Sequence, residues 1–136
     1  MSLMLGNMAV QEVVNYINGL QIPSLDGKPL VAYKYEKPDF VKGEYVAVNH
    51  LPFVHNDAVE EGIVNINIHA KNLDNRLPDI LRLAELTQQI AEPFSEELYL
   101  GKAYYNYFCD SRPTPDKDNT NYVNIQIKVI FNNLNK

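Results

Sequence analysis

Three histidines raise the first question of chemistry. His50, His55 and Asp57 lie within eight residues, with Glu60, Glu61 and His69 further on, so a metal site of imidazoles and carboxylates must be weighed. Their spacing fits no helical metal motif of the H-E-x-x-H kind, and a polar loop carrying two histidines accounts for it without an ion. A small-ligand or metal-assisted enzyme built on His50, His55, Asp57 and His69 is therefore the alternative reading. Asp110, Asp116, Asp118 and Asn119 have the composition of a calcium loop, but Pro113 and Pro115 interrupt it, and the motif's glycine and closing glutamate are missing. Cys109 is the one cysteine, which excludes an internal disulfide and a cysteine-based zinc site within one chain. Its neighbours Phe108 and Asp110 bring no cation to stabilise a thiolate, so it reads as a half-buried strand-end residue. The six glycines are dispersed and form no phosphate loop. There is no G-x-S-x-G elbow, and Asp39 followed by Glu44-Tyr45-Val46 lacks the lysine of a restriction-type nuclease. No set of residues here is a reaction centre; the expectation is a protein that is not an enzyme and needs no cofactor.

The elements that would position such residues must fit one domain, because 136 residues are enough for a real core but too few to divide comfortably. That domain is expected over residues 4–136, with Met1-Ser2-Leu3 reading as an expression scar. A net charge of -5 with scattered basic residues argues against tight, counterion-releasing contact with nucleic acid. No run approaches the ~18 apolar residues of a membrane span, and no signal-peptide pattern is seen, so a cytoplasmic protein without membrane contact is expected.

The chain is organised around residues 61–94. Val64, Ile66, Ile68 and Ala70 alternate with Asn65, Asn67 and His69, the period of a half-buried strand. After a polar turn the period becomes helical, with Ile80, Leu83, Ala84, Leu86 and Ile90 on one stripe. Asp79, Arg82 and Glu85 fall on the solvent side of that helix. An earlier helix is predicted over 8–18 from Val10, Val13, Val14 and Ile17, capped by Asn7 and ended by Gly19. Residues 30–35 and 45–49 read as strands able to form a hairpin with a long tip, and 50–60 as a loop. The tyrosine-rich run 98–108 reads as one strand. Residues 110–121 are expected to be an exposed, irregular loop because of their two prolines. Residues 122–131 repeat the alternation, with Val123, Ile125, Ile127 and Val129 on one side and Asn124 and Gln126 on the other. The fold class expected is α+β, a mainly antiparallel four- to five-stranded sheet with two helices packed on one face. Uncharged amides suit a sheet face covered by another subunit, so Asn65, Asn67, His69, Asn124 and Gln126 are the subunit-interface candidates. Arg112, Asp116, Lys117 and Asp118 are the partner-loop candidates.

In this succession the chain resembles the tail-completion, or tail-terminator, proteins of long-tailed bacteriophages and prophages, including those that join tail to head. The resemblance is carried by the first helix (Val10-Gln11-Glu12-Val13-Val14-Asn15-Tyr16-Ile17) and the strands Glu44-Tyr45-Val46-Ala47-Val48-Asn49 and Gly62-Ile63-Val64-Asn65-Ile66-Asn67-Ile68-His69. The helix Pro78-Asp79-Ile80-Leu81-Arg82-Leu83-Ala84-Glu85-Leu86 and the final strand Tyr122-Val123-Asn124-Ile125-Gln126-Ile127 complete it. It covers nearly the whole chain and rests on order and polarity, not on a signature residue; the loop 110–121 is where it departs. The resemblance implies a non-catalytic subunit that assembles with itself into a ring, usually a hexamer. That ring would meet tail-tube and head-connector proteins, first in the cytoplasm and then in the virion tail. An acidic adaptor or immunity-type binding module, using the tyrosine-rich strand and the loop 110–121, is a further alternative.

Overall fold

The computed structural model describes residues 4–55 and 59–132. Helix α1 (Gly6–Leu20) buries Ala9, Val10, Val13, Val14 and Ile17, the stripe its spacing requires. Its ends differ from expectation: Leu5 is the N-cap, and the chain leaves the helix through Gln21 in the left-handed region, so neither Asn7 nor Gly19 marks a boundary. Gly6 opens the helix, and a Cβ at that position would run into the His50 ring.

Among the described residues eight strands follow: β1 (Ala32–Lys34), β2 (Tyr45–His50), β3 (Val54–His55), β4 (Val59–Lys71), β5 (Leu98–Leu100), β6 (Ala103–Asp110), β7 (Thr114–Asp116) and β8 (Thr120–Asn132). Helix α2 (Ile80–Ala91) lies between β4 and β5 and runs into a short 3-10 turn, Glu92–Phe94. The strands form one sheet in the order β1-β2-β4-β8-β6-β5, with β3 added to β4 and β7 to β8.

This corrects the expected four- to five-stranded, mainly antiparallel sheet with helices laid on one face. The sheet is eight-stranded and mixed, and curls into a half-barrel. Three physical causes explain the difference. First, β1 pairs with β2 in parallel, so no hairpin forms; the Asn18 amide of α1 takes both backbone groups of Ala32, accepting from its N–H at 2.8 Å and donating to its carbonyl at 3.2 Å. Second, β4 and β8 pair along thirteen residues, and strands that long twist and coil. Third, Gly101, at φ 59°, splits the tyrosine-rich run into β5 and β6, and β3 and β7 are too short to show a period.

The alternation of β4 and β8 sends Val64, Ile66, Ile68, Ile125, Ile127 and Val129 into the core, all fully buried. We call that face inner and the other outer. Helix α2 adds Leu83, Leu86 and Ile90 to the core, and Phe94 packs its ring edgewise on Tyr16 at 5.8 Å. Asp79 is not merely solvated: its carboxylate caps α2 by accepting from the Arg82 N–H at 3.1 Å. Nor is Arg82, whose guanidinium donates to both carboxylate oxygens of Glu44, at 2.6 and 2.9 Å. With side chains 12% and 4% exposed, this pair ties α2 to the chain just before β2.

Candidate functional site

Strand register builds three rows across the outer face. Tyr45, His69 and Tyr122 stand opposite one another on β2, β4 and β8; Ala47, Asn67 and Asn124 form the next row; Asn49, Asn65 and Gln126 the third. The interface candidates therefore share one surface, and four of the five bond in a ladder. Asn124 Nδ2 donates to Asn67 Oδ1 at 2.8 Å and to Asn65 Oδ1 at 3.2 Å. Gln126 Nε2 donates to Asn65 Oδ1 at 3.1 Å, and Asn65 Nδ2 to Asn49 Oδ1 at 2.9 Å. A bulge between Tyr107 and Cys109 brings Cys109 opposite Gln126, where its thiol donates to Oε1 at 3.3 Å. The amides thus satisfy one another across four strands, a reason for amides here that the alternation alone does not reveal.

His69, the fifth candidate, stands apart from the ladder. Its ring stacks on Tyr45 at 4.1 Å and 12°, and tilts against Tyr122 at 5.0 Å, leaving the residue 4% exposed. Burial pulls its pKa down to about 4, against the opposing field of Asp116 and with a smaller push from Lys37. Burial likewise raises the Tyr45 hydroxyl to about 12. Among the described residues Nδ1 of His69 has no hydrogen-bond partner, and Asp116 Oδ2 is 3.6 Å away. The two groups open on a polar cleft of about 240 Å³, also lined by Tyr35, Glu36, Asp39 and Asn67.

Asp116 comes from β7, inside the segment expected to be an irregular loop. That segment is a hairpin instead. Pro115 sits on a short outer strand, where a missing N–H is tolerated, and Asp118 and Asn119 turn the chain with φ of 61° and 56°. The tip is tied down: Asp118 binds Lys37 at 2.9 Å and Lys42 at 3.0 Å. Those two ammonium groups pull its carboxyl down to about 2. Asn72 bonds to Asn119 and Asn121. Of the partner-loop candidates, Asp118 is thus held within the molecule, Asp116 and Lys117 line the cleft, and Arg112 uses its carbonyl to accept from Ser111 and Thr114.

The histidines weighed as a metal site do not meet. His55 faces Glu60 at 3.2 Å, and His50 lies between Tyr35 and Phe53 with Nδ1 against the Leu51 carbonyl. His69 is nine residues beyond Glu60 on β4, about 30 Å at the rise of a strand. Asp57 lies outside the described residues. Among the described residues no three metal-ligating side chains converge, and no helix is long and apolar enough to cross a membrane. Compared with known proteins, the chain matches no family model and no curated protein sequence.

Proposed function

We propose that this chain is a structural subunit of a phage or prophage tail, a tail-completion or head-tail joining protein that acts by assembling into a ring, usually a hexamer, with no catalysis. One observation carries the reading: large apolar side chains stand exposed in two groups on different elements. Tyr99, Tyr104 and Phe108 stand 56%, 39% and 59% exposed on β5 and β6, and Leu77, Ile80 and Leu81 stand 58%, 54% and 80% exposed around the start of α2. The first two form a tyrosine pair with rings 4.8 Å apart, and tyrosine is favoured where surfaces meet. Large exposed apolar groups gathered in this way mark interaction sites, and two unlike patches suit a head-to-tail contact, which closes into a ring when its rotation closes. The succession of elements that carries the resemblance to tail-completion proteins supports the same reading. Electron microscopy of the concentrated protein tests it. Closed rings are expected, and Leu81→Asp and Tyr99→Asp should each abolish them; a field of isolated monomers contradicts it.

A further inference from the structure

We infer that His69 and Asp116 form a binding site for a divalent transition-metal ion of the zinc, cobalt and nickel class, on the outer face between β4 and β7. The inference stands independently of ring assembly and of the His50 and His55 loop.

Three observations carry it. The Nδ1 atom of His69 is buried and unpartnered, although a buried ring nitrogen is normally satisfied. Asp116 Oδ2 lies 3.6 Å from it, beyond the reach of a direct hydrogen bond. An ion roughly 2.1 Å from each atom, the usual zinc distance to imidazole and carboxylate, would see them roughly 120° apart, close to a tetrahedral angle. The ring is also fixed before any ion arrives, since Tyr45 and Tyr122 hold its plane from both sides.

The charges nearby permit a cation. Asp116 spends its other oxygen on the Lys117 N–H at 2.8 Å, so Oδ2 faces the cleft. Glu36 and Asp39 add negative charge to the lining. Lys37 and Lys117 are the opposing cations of the lining, the Lys37 ammonium being held by Asp118 at 2.9 Å. With Nδ1 as ligand, the imidazole carries its proton on Nε2 and stays neutral. Two protein ligands leave the other positions to water from the cleft, so the ion is exchangeable and not needed for folding.

The test is calorimetric titration of the full chain, stripped of metal, with zinc chloride in a non-chelating buffer. Nitrogen-15 shifts of the imidazole rings report which ring nitrogen responds. One ion per chain is expected, with the largest shift at His69 Nδ1. His69→Phe, which keeps an aromatic ring between Tyr45 and Tyr122, should abolish uptake. Asp116→Asn, a near-isosteric change on a short outer strand, should weaken it more than about tenfold, since even outer-shell partners of a metal ligand carry that much. His55→Ala should leave it unchanged. No uptake at millimolar zinc overturns the inference. So does uptake unaffected by Asp116→Asn, and so does uptake lost in His55→Ala alone, which would mark adventitious binding at the other histidines.

Discussion

Replacing Asn65 by alanine probes the amide ladder at its centre. The side chain accepts from Asn124 at 3.2 Å and from Gln126 at 3.1 Å, and donates to Asn49 at 2.9 Å. Each such bond contributes about 0.5–1.5 kcal/mol net, so the upper bound for three is roughly 4.5 kcal/mol. Its partners are half-buried and can turn partly to water, and Asn124 keeps its bond to Asn67 at 2.8 Å. The expected loss is therefore about 2 kcal/mol, with intrinsic strand preference contributing little because asparagine is itself a poor strand residue. Urea unfolding measures it, as a lower midpoint with unchanged slope. Asn67→Ala, which removes one bond, should cost about 0.5–1 kcal/mol. A double-mutant cycle between Asn65→Ala and Gln126→Ala should give a coupling of about 0.5–1 kcal/mol. If Asn65→Ala costs under about 0.5 kcal/mol, the ordinary range of an exposed substitution, the ladder is decoration and the reasoning fails.

Other outcomes follow from the same geometry. Glu44→Gln takes the buried charge partner from the Arg82 guanidinium, 12% exposed, and leaves it the exposed Glu85 carboxylate at 3.6 Å; stability should fall by about 2–4 kcal/mol, read in the same urea assay, while Glu85→Gln should change little. Gly62→Ala would place a Cβ 2.1 Å from the Phe53 ring and should cost about 1–3 kcal/mol through displacement of that ring, seen as a lower melting temperature. For pH, the folded His69 pKa of about 4 lies below its ordinary 6.5. The unfolded chain therefore binds more protons between those values, and the stability His69 contributes is complete above about pH 6.5 and lost as pH falls toward 4. Metal-free His69→Phe should show a flatter stability profile across that window than the parent protein; an identical slope in the two would contradict the assignment.

Much of the outer face was legible because strand alternation is a local property: Asn65, Asn67, His69, Asn124 and Gln126 share it, as their period of two requires. What alternation cannot give is register. Only the pairing of His69 with Tyr45 and Tyr122 creates the stacked imidazole, and those contacts span many residues. The extent of the sheet was hidden for a different reason, since β3 and β7 hold two and three residues, too few to display any period. Pro113 and Pro115 suggested an irregular loop, but a proline is tolerated on a short outer strand such as β7. The successive left-handed residues Asp118 and Asn119 were the missed hairpin signal, Asp and Asn being among the few side chains that tolerate that geometry. Arg82 looked solvated because helical periodicity locates a face but not the Glu44 carboxylate that reaches it from before β2.

Assembly through two unlike patches is tested most directly by native mass spectrometry of variants that each lose one of them. Leu81→Asp and Tyr99→Asp should each be monomeric alone, while an equal mixture should give a discrete heterodimer, because each variant retains the patch the other lacks, and the parent protein should give a single closed oligomer with the mass of a hexamer. A parent protein that stays monomeric at high concentration, or a mixture in which the two variants ignore each other, would contradict the head-to-tail ring.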